Sequence, residues 1–213
     1  MITGDPDAAA AVVDWRCRTF ALYDQVRELS GTDVRAAHDL WRTQRDALFR
    51  DHPASALSQA KKERFTGLPI AAYDPGYRFE CALDGHGAGE GMTVETGTDG
   101  AVSFTRLGTV ALPGLGRLAV WQLRGYGGGL FVPFRDATAA KPDGSYGGGR
   151  YLLDTIKGAY LGRRGERFIL DFNFAYNPSC AYDEAWACPL PGPGNRLAAS
   201  IPVGELYAPH LAA

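Results

Sequence analysis

The stretch Arg167-Phe-Ile-Leu-Asp-Phe-Asn-Phe-Ala-Tyr-Asn-Pro-Ser-Cys-Ala-Tyr182 combines a strand pattern with the densest cluster of polar and aromatic side chains in the chain. In an extended strand, successive side chains point to opposite faces of the sheet. We therefore predict a strand over Arg167–Tyr176, with an apolar and aromatic face made of Phe168, Leu170, Phe172, Phe174 and Tyr176. Asp171, Asn173 and Asn177 fall on the other face, which meets either water or an enclosed polar pocket.

Shorter segments with strand character precede this stretch. They are Tyr77–Leu83, Met92–Thr96, Val102–Val110, Arg117–Leu123, Leu130–Pro133 and Arg150–Leu153. Turn residues separate the segments, for example Asp84-Gly85 and Asp99-Gly100. Such a succession of short strands predicts an antiparallel sheet that closes into a β-barrel or a sandwich.

Residues 1–52 have a helical period instead. Apolar side chains recur every three or four positions between Val12 and Leu29, and again between Val34 and Leu48, which predicts two amphipathic helices. Two helices cannot bury their own apolar stripes, so they must dock on the sheet. The predicted fold class is mostly β with N-terminal helices (α+β), an antiparallel β-barrel or sandwich capped by two helices.

We predict one domain over residues 1–213. It divides into a helical cap over residues 1–52, a loop over 53–76, an antiparallel β body over 77–187 and an extended C-terminal strap over 188–213. No repeat of fixed period interrupts this order. The change of composition near residue 53 marks the border between cap and body, not a border between two domains.

The composition is that of an ordinary globular protein. Of 213 residues, 46% are hydrophobic and 22% are charged, and the formal net charge is −2. Without a run of Lys and Arg, the chain lacks the basic footprint that nucleic-acid binding requires. No segment reaches the ~18 apolar residues of a membrane span, and the N-terminal residues lack a signal-peptide pattern. We expect a cytoplasmic protein with no nucleic-acid or membrane partner, and the oligomeric state stays open.

The polar residues of the last strand and a glycine cluster next to it form the candidate site. Asp171 is the candidate base or orienting group, Arg150 is the candidate anion clamp, and Tyr146 or Tyr176 is the candidate acid. The candidate substrate-binding residues are Asn173, Asn177, Gly148 and Trp121. As an anion clamp, the guanidinium of Arg150 could hold the carboxylate of Asp171 or that of a substrate. The alternative is that Arg150 forms a structural salt bridge. A solvated face is the alternative for Asp171.

Metal and cofactor sites are not expected. The four cysteines and four histidines lack the close spacing of zinc ligands, and no phosphate-binding or dinucleotide motif accompanies the glycine runs. No Gly-x-Ser-x-Gly or His-Glu-x-x-His signature occurs either. Cys180 and Cys188 are predicted to be buried structural thiols that hold the strap.

Several motifs together resemble those of the bacterial family catalogued as domain of unknown function 1684. They are Tyr-Gly-Gly-Gly-Arg-Tyr at 146–151, Asp-Phe-Asn-Phe-Ala-Tyr-Asn-Pro-Ser-Cys-Ala-Tyr at 171–182, Cys-Pro-Leu at 188–190 and Asn-Arg-Leu at 195–197. The resemblance runs from about Trp41 to Leu197 and implies no activity. The family tends to have acidic residues where this chain has Tyr160 and Gly194, which would make this chain a specialised member.

These features favour a small-molecule-binding β-barrel that performs acid–base chemistry without a cofactor. An isomerase, cyclase, lyase or hydrolase of bacterial specialised metabolism would fit, with a small organic molecule as the partner. A non-catalytic ligand carrier and a structural module without a ligand are the alternatives. The form of the pocket discriminates between them, since a cavity with a few polar groups favours a ligand site.

Overall fold

The computed structural model describes residues 5–96 and 100–211. Two long helices lead the chain, α1 over Pro6–Ser30 and α2 over Val34–Asp51, and a single helical turn, α3, follows over Gln59–Lys62. Among the described residues, no helix combines the length and the apolarity that a membrane crossing requires.

The ends of the two long helices have local causes in the sequence. The side chain of Asp5 caps α1, and the side chain of Asp33 caps α2 by accepting from two backbone N–H groups of the first turn. Such caps stabilise a helix start because the first N–H groups have no partner within the helix. Gly31 ends α1, and His52, which precedes Pro53, ends α2.

Eight strands in the described residues form one antiparallel sheet. They are β1 Arg78–Asp84, β2 Gly91–Thr96, β3 Gly100–Leu112, β4 Gly116–Leu123, β5 Leu130–Phe134, β6 Arg150–Asp154, β7 Arg163–Arg164 and β8 Arg167–Asp171. The sheet order is β6-β5-β4-β3-β1-β8-β7, and β2 pairs with β3. Of the predicted turn at Asp99-Gly100, Asp99 lies outside the described residues.

The sheet curls into a half-barrel. Its end strands, β6 and β7, do not pair with each other in the part of the chain that the structure describes. The predicted α+β class, with two leading helices on an antiparallel sheet, is confirmed. The sheet is curled and is not a closed barrel in the described residues.

At Gly108 the pairing of β3 with β4 shifts by one residue and φ is +154°. A side chain at this bulge would meet the carbonyl oxygen of Asp84, so only glycine fits.

The last strand is shorter than predicted. β8 ends at Asp171, whose carboxylate accepts from the backbone N–H two residues on and so starts a 3-10 turn over Phe172–Phe174. The predicted continuation of strand alternation to Tyr176 is therefore wrong. Phe172 packs in the core inside the sheet, whereas Phe174 packs against the helices. An aspartate that binds its own backbone in this way favours a turn over a strand.

Four apolar clusters occur among the described residues, and two of them position the candidate site. The larger core lies inside the curl of the sheet, with Val110, Leu118 and Phe134 among its fully buried side chains. The second lies where α1 and α2 dock on the segments that follow β6 and β8, and it includes Trp41. The cavity described below lies beside this second cluster.

Candidate functional site

A cavity of about 60 Å³ separates the two long helices from the segments that follow β6 and β8. The helices contribute Trp15, Thr19, Leu22, Tyr23, Arg45, Leu48 and Phe49 to its wall. The opposite wall is Tyr151, Lys157, Ala159, Tyr176, Asn177, Pro178 and Ser179. Its lining is mostly apolar or aromatic, with a few polar groups, which is the usual composition of a small-molecule site.

Arg45 lies on α2 between three aromatic rings. Its guanidinium carbon is 5.0 Å from the ring centres of Trp41 and Tyr176 and 5.2 Å from that of Phe49. Its Nη2 donates to Oε2 of Glu205 at 2.7 Å. Arg45 is 8% exposed, and within the described residues its Nε–H has no hydrogen-bond partner. A buried donor without a partner therefore belongs to the cavity wall.

Glu205 holds both walls of the cavity. Its buried carboxylate accepts from Arg45 on the helical side, and from the backbone N–H and Nδ2 of Asn177, both at 3.2 Å, on the sheet side. Burial raises the pKa of Glu205, and the guanidinium of Arg45 opposes that rise. The Oδ1 atom of Asn177, which is 4% exposed, accepts from no group that the structure describes. The wall thus also contains a buried acceptor without a partner.

Asp154 stands behind Tyr176 at the end of β6. Its Oδ1 accepts from the backbone N–H groups of Ile156 and Lys157, and its Oδ2 accepts from the Tyr176 hydroxyl at 3.1 Å. Burial raises the pKa of Asp154, while the nearby Lys157 ammonium lowers it. Burial also holds the pKa of Tyr176 well above its ordinary value. The phenol at the cavity wall therefore keeps its proton and donates a hydrogen bond to the buried carboxyl group of Asp154.

Lys157 supplies the positive charge of this region. Its side chain is half-buried and lines the cavity, and it forms no ion pair within residues 5–96 and 100–211. By contrast, the charge of Arg45 is matched by Glu205 at 2.7 Å. Because the Lys157 ammonium is near the Asp154 carboxylate without forming an ion pair with it, the ammonium can also attract a negatively charged group in the cavity.

Of the residues predicted from the sequence, Tyr176 and Asn177 meet at this cavity. Asp171 does not line it, and its fully buried carboxylate accepts from Tyr73, Arg78 and twice from Asn173. Burial raises the pKa of Asp171, while Asn173 and Arg78 act to lower it. Of the two alternatives for this residue, the solvated face is therefore excluded, because its exposure is 0%.

Arg150 also lies apart from the cavity, inside the β body. It forms an ion pair with Asp136 at 3.2 Å, not with Asp171, and it donates to the backbone carbonyls of Ile201, Val203 and Glu205. Its exposure is 0%. These contacts correspond to the alternative in which Arg150 forms a structural salt bridge.

The remaining predicted residues lie in two further places. The hydroxyl of Tyr146 is 3.8 Å from Sγ of Cys180, and a side chain at Gly148 would meet the ring of Tyr146. Trp121 is buried, and its Nε1 donates to Oδ1 of Asn195 at 3.0 Å. The structure therefore does not bring the predicted site residues into one cluster.

The two cysteines of this region, Cys180 and Cys188, are both partly exposed and neither is in a disulfide. The predicted full burial of these thiols is therefore wrong.

Sequence reasoning missed Arg45, Asp154, Lys157 and Glu205. For Arg45 a signal exists, because the buried face of α2 continues from Trp41 through Arg45 to Phe49. An arginine four residues after a buried tryptophan is on the same helix face. For Glu205 no local signal exists, since its partners lie far away in the sequence.

A family model described as "Protein of unknown function (DUF1684)" matches residues 63–206. An uncharacterised protein from Haloarcula marismortui, whose structure was determined by NMR in solution, is 32% identical. That alignment covers 77% of this chain and 89% of the other, with a TM-score of 0.54. No curated protein matches the chain. Because α1 and α2 precede residue 63, only the sheet-side wall of the cavity and Glu205 lie within the family match.

Proposed function

This chain belongs to the family described as protein of unknown function DUF1684, and we propose that it binds a small organic molecule in the cavity between its helices and its sheet. A cavity of about 60 Å³ is well below the roughly 300–1,000 Å³ of sites that enclose a drug-sized ligand. The bound group therefore has only a few non-hydrogen atoms, either a whole small metabolite or the polar end of a longer molecule.

The observation that carries this proposal is that two buried polar atoms without a hydrogen-bond partner in the described part of the chain, Nε of Arg45 and Oδ1 of Asn177, belong to residues of this cavity wall. Leaving a buried polar group unsatisfied costs about 1–3 kcal/mol, so folded proteins usually satisfy such groups. Both residues line one cavity, and both are fixed by the carboxylate of Glu205. A ligand that accepts from one and donates to the other would remove both penalties.

The chemistry of the wall defines the ligand class. Arg45 Nε requires an acceptor, Asn177 Oδ1 requires a donor, and the Lys157 ammonium favours a negative charge. The side chains of Trp15 and Leu48 offer apolar surface to the rest of the molecule. A short hydroxy acid has all of these properties, since its carboxylate accepts and its hydroxyl donates.

Replacing Lys157 with methionine should weaken the binding of short hydroxy acids by about 10–100-fold, because a charge-assisted hydrogen bond contributes about 1.5–3 kcal/mol. Binding of the corresponding primary amides, which carry no charge, should change by less than about threefold. The measurement is ligand-observed NMR of the full chain with two- to six-carbon hydroxy acids, their amides and the matching amines.

Lys141→Met is the matched control, since Lys141 is exposed and does not line the cavity. It should leave every affinity unchanged. A second variant, Thr19→Phe, narrows the cavity from the helical side and should reduce binding of acids and amides alike, whereas Thr43→Phe on the exposed face of α2 should not. If the hydroxy acids bind all four variants equally, or do not bind the native protein, the proposed site is wrong.

A second function, acid–base catalysis on the bound molecule, is favoured by the contact between Tyr176 and Asp154. Tyr176 would exchange a proton with the ligand, and Asp154 would be the positioning residue that holds the phenol and returns its proton. The acid role proposed for Tyr176 from the sequence fits this contact. The predicted roles of Asp171 as a base, Arg150 as an anion clamp and Tyr146 as an acid would require a substrate to reach groups outside the cavity.

Tyr176→Phe should leave binding of the hydroxy acids within about threefold while lowering any turnover by about 100–10,000-fold, the usual contribution of a general acid or base. The check is product detection by NMR after long incubation, with binding measured on the same samples. If the native protein binds these acids but converts none of them, the chain is a carrier. If the phenylalanine variant turns substrate over at the native rate, Tyr176 is not the acid.

A further inference from the structure

The hydroxyl of Tyr23 is a further buried polar group at the cavity wall. Tyr23 lies on α1, is 3% exposed and lines the cavity. Its oxygen is 3.1 Å from Nε1 of Trp41 on α2. An indole N–H can only donate, so the oxygen of Tyr23 must accept in this hydrogen bond. The hydroxyl proton is then left without an acceptor within residues 5–96 and 100–211.

This proton is available to a ligand at neutral pH. Burial raises the pKa of Tyr23 to about 12, and the nearby guanidinium of Arg45 opposes only part of that rise. The phenol therefore stays protonated. In the described part of the chain, the cavity wall thus has two donors that lack an acceptor, the O–H of Tyr23 and the Nε–H of Arg45.

Trp41 contacts both of these donors. Its indole N–H fixes the direction of the Tyr23 hydroxyl, and its ring centre lies 5.0 Å from the guanidinium carbon of Arg45. Trp41 is fully buried and packs edge-on against Phe174, with 5.4 Å between the ring centres. Its position is therefore set by the core between the helices and the sheet, independently of any ligand.

We propose that Tyr23 and Arg45 together bind the two oxygen atoms of the ligand's carboxylate, and that Trp41 positions both donors. This assignment rests on the proposed function, in which a short hydroxy acid occupies the cavity. A carboxylate is acceptor-only and has two oxygens, so it satisfies both donors at once. The hydroxyl of the same ligand stays free to donate to Oδ1 of Asn177 on the opposite wall.

The two donors and the residue that positions them all belong to the helical cap. Tyr23, Trp41 and Arg45 precede residue 63, where the match to the family model begins. A family member without these three side chains would keep the Asn177 side of the site and lose the two donors for the carboxylate.

Tyr23→Phe removes the hydroxyl and keeps the ring. In the full chain, it should weaken the binding of lactate by about 10–100-fold, the usual effect of losing a hydrogen bond to a charged group. In 3-hydroxybutan-2-one a methyl group replaces one carboxylate oxygen, and the Nε–H of Arg45 suffices for the oxygen that remains. The affinity for this ketone should change by less than about threefold. Ligand-observed NMR measures both affinities.

Tyr73→Phe is the matched control, because it also removes the hydrogen bond of a buried hydroxyl but lies outside the cavity wall. It should leave the ratio of the lactate and ketone affinities unchanged, and thermal melts check that both variants are folded. If Tyr23→Phe keeps the native ratio, Tyr23 does not bind the carboxylate, although the ligand site itself stands. If the native protein binds neither compound, the proposed function and the assignment of Tyr23 both fail.

The role of Trp41 is tested by a double-mutant cycle. Trp41→Phe keeps an aromatic ring beside Arg45 but removes the N–H that directs the Tyr23 hydroxyl. It should weaken lactate binding by about tenfold in the native background and by less than about threefold in the Tyr23→Phe background. An equal loss in both backgrounds would mean that Trp41 acts on the fold alone and does not position Tyr23.

A second measurement tests the native protein, so it does not depend on the folding of Tyr23→Phe. Tyrosine labelled with ¹³C at Cζ reports on the hydrogen bond of each hydroxyl. The wall contains three tyrosines, and Tyr151→Phe and Tyr176→Phe identify the signals of two of them. Saturation with lactate should shift the remaining signal, that of Tyr23, more than saturation with the ketone does. Equal shifts with the two compounds would overturn the carboxylate contact of Tyr23.

Discussion

Replacing Arg150 with methionine should lower the free energy of unfolding by about 3–5 kcal/mol, the usual cost of removing one partner of a buried ion pair. Arg150 is fully buried, and its removal leaves Asp136 as an uncompensated charge inside the β body. The carbonyl oxygens of Ile201 and Val203 lose their donor as well. Methionine fills much of the same volume, so the loss comes from polar contacts and not from a cavity.

The measurement is equilibrium unfolding in urea. Arg124→Met is the matched control, because Arg124 is exposed and its only described side-chain partner is Gln122, at 3.4 Å. A surface change of this kind should alter the free energy of unfolding by less than about 0.5 kcal/mol. If Arg150→Met also changes the free energy of unfolding by less than about 0.5 kcal/mol, the buried ion pair does not stabilise the fold. That result would favour the hypothesis that Arg150 binds an anion.

The pH dependence of the same pair provides a second check. Burial acts to raise the pKa of Asp136, but the guanidinium of Arg150 and the hydroxyls of Thr138 and Ser145 outweigh it and lower that pKa. A carboxylate with a lowered pKa contributes stability above its unfolded value of about 3.9, and this contribution is lost as the pH falls through the folded value. The stability gap between the native protein and Asp136→Asn should therefore narrow below about pH 4.

The fold could be predicted because its signals are local. Helix period and the spacing of turn residues each depend on a few neighbouring residues, and they place α1, α2 and most of the strands. The prediction failed at Asp171, where a side chain that binds its own backbone ends the strand before the aromatic alternation does. The sequence contains both local preferences, the aromatic alternation that favours a strand and the aspartate that favours a turn, and only the tertiary structure shows which one prevails.

The candidate site was harder to predict because its contacts join distant parts of the chain. Arg45 meets Glu205 across 160 positions, and Asn177 meets the same carboxylate from the opposite wall. Sequence reasoning selected Tyr176 and Asn177 because they lie in one polar cluster. It also selected Asp171, whose partners Tyr73 and Arg78 lie nearly a hundred positions away and enclose it elsewhere in the fold.

Replacing Asp171 with asparagine should lower the free energy of unfolding by about 2–4 kcal/mol. The carboxylate accepts from Tyr73 at 3.1 Å, from Arg78 at 3.1 Å and from the backbone and side chain of Asn173 at 3.0 and 2.7 Å. Every one of these groups is a donor, so an amide NH₂ at position 171 must face a donor whichever way it turns. The loss of stability stays below that expected for breaking the Arg150–Asp136 pair, because the side chain of Arg78 is 21% exposed.

A thermal melt and an NMR binding measurement together identify the role of Asp171. A melt that is lowered while hydroxy-acid binding persists below the new transition indicates a structural carboxylate outside the ligand site. An unchanged melt combined with a turnover loss of about 100–10,000-fold would instead identify a catalytic base. Asp39→Asn, at an exposed position of α2, is the matched control and should change neither quantity.

Tyr73→Phe removes a single donor from the Asp171 carboxylate, so it should lower the free energy of unfolding by only about 1 kcal/mol. A larger effect of Tyr73→Phe than of Asp171→Asn would show that ring packing, and not the carboxylate, holds this part of the fold together.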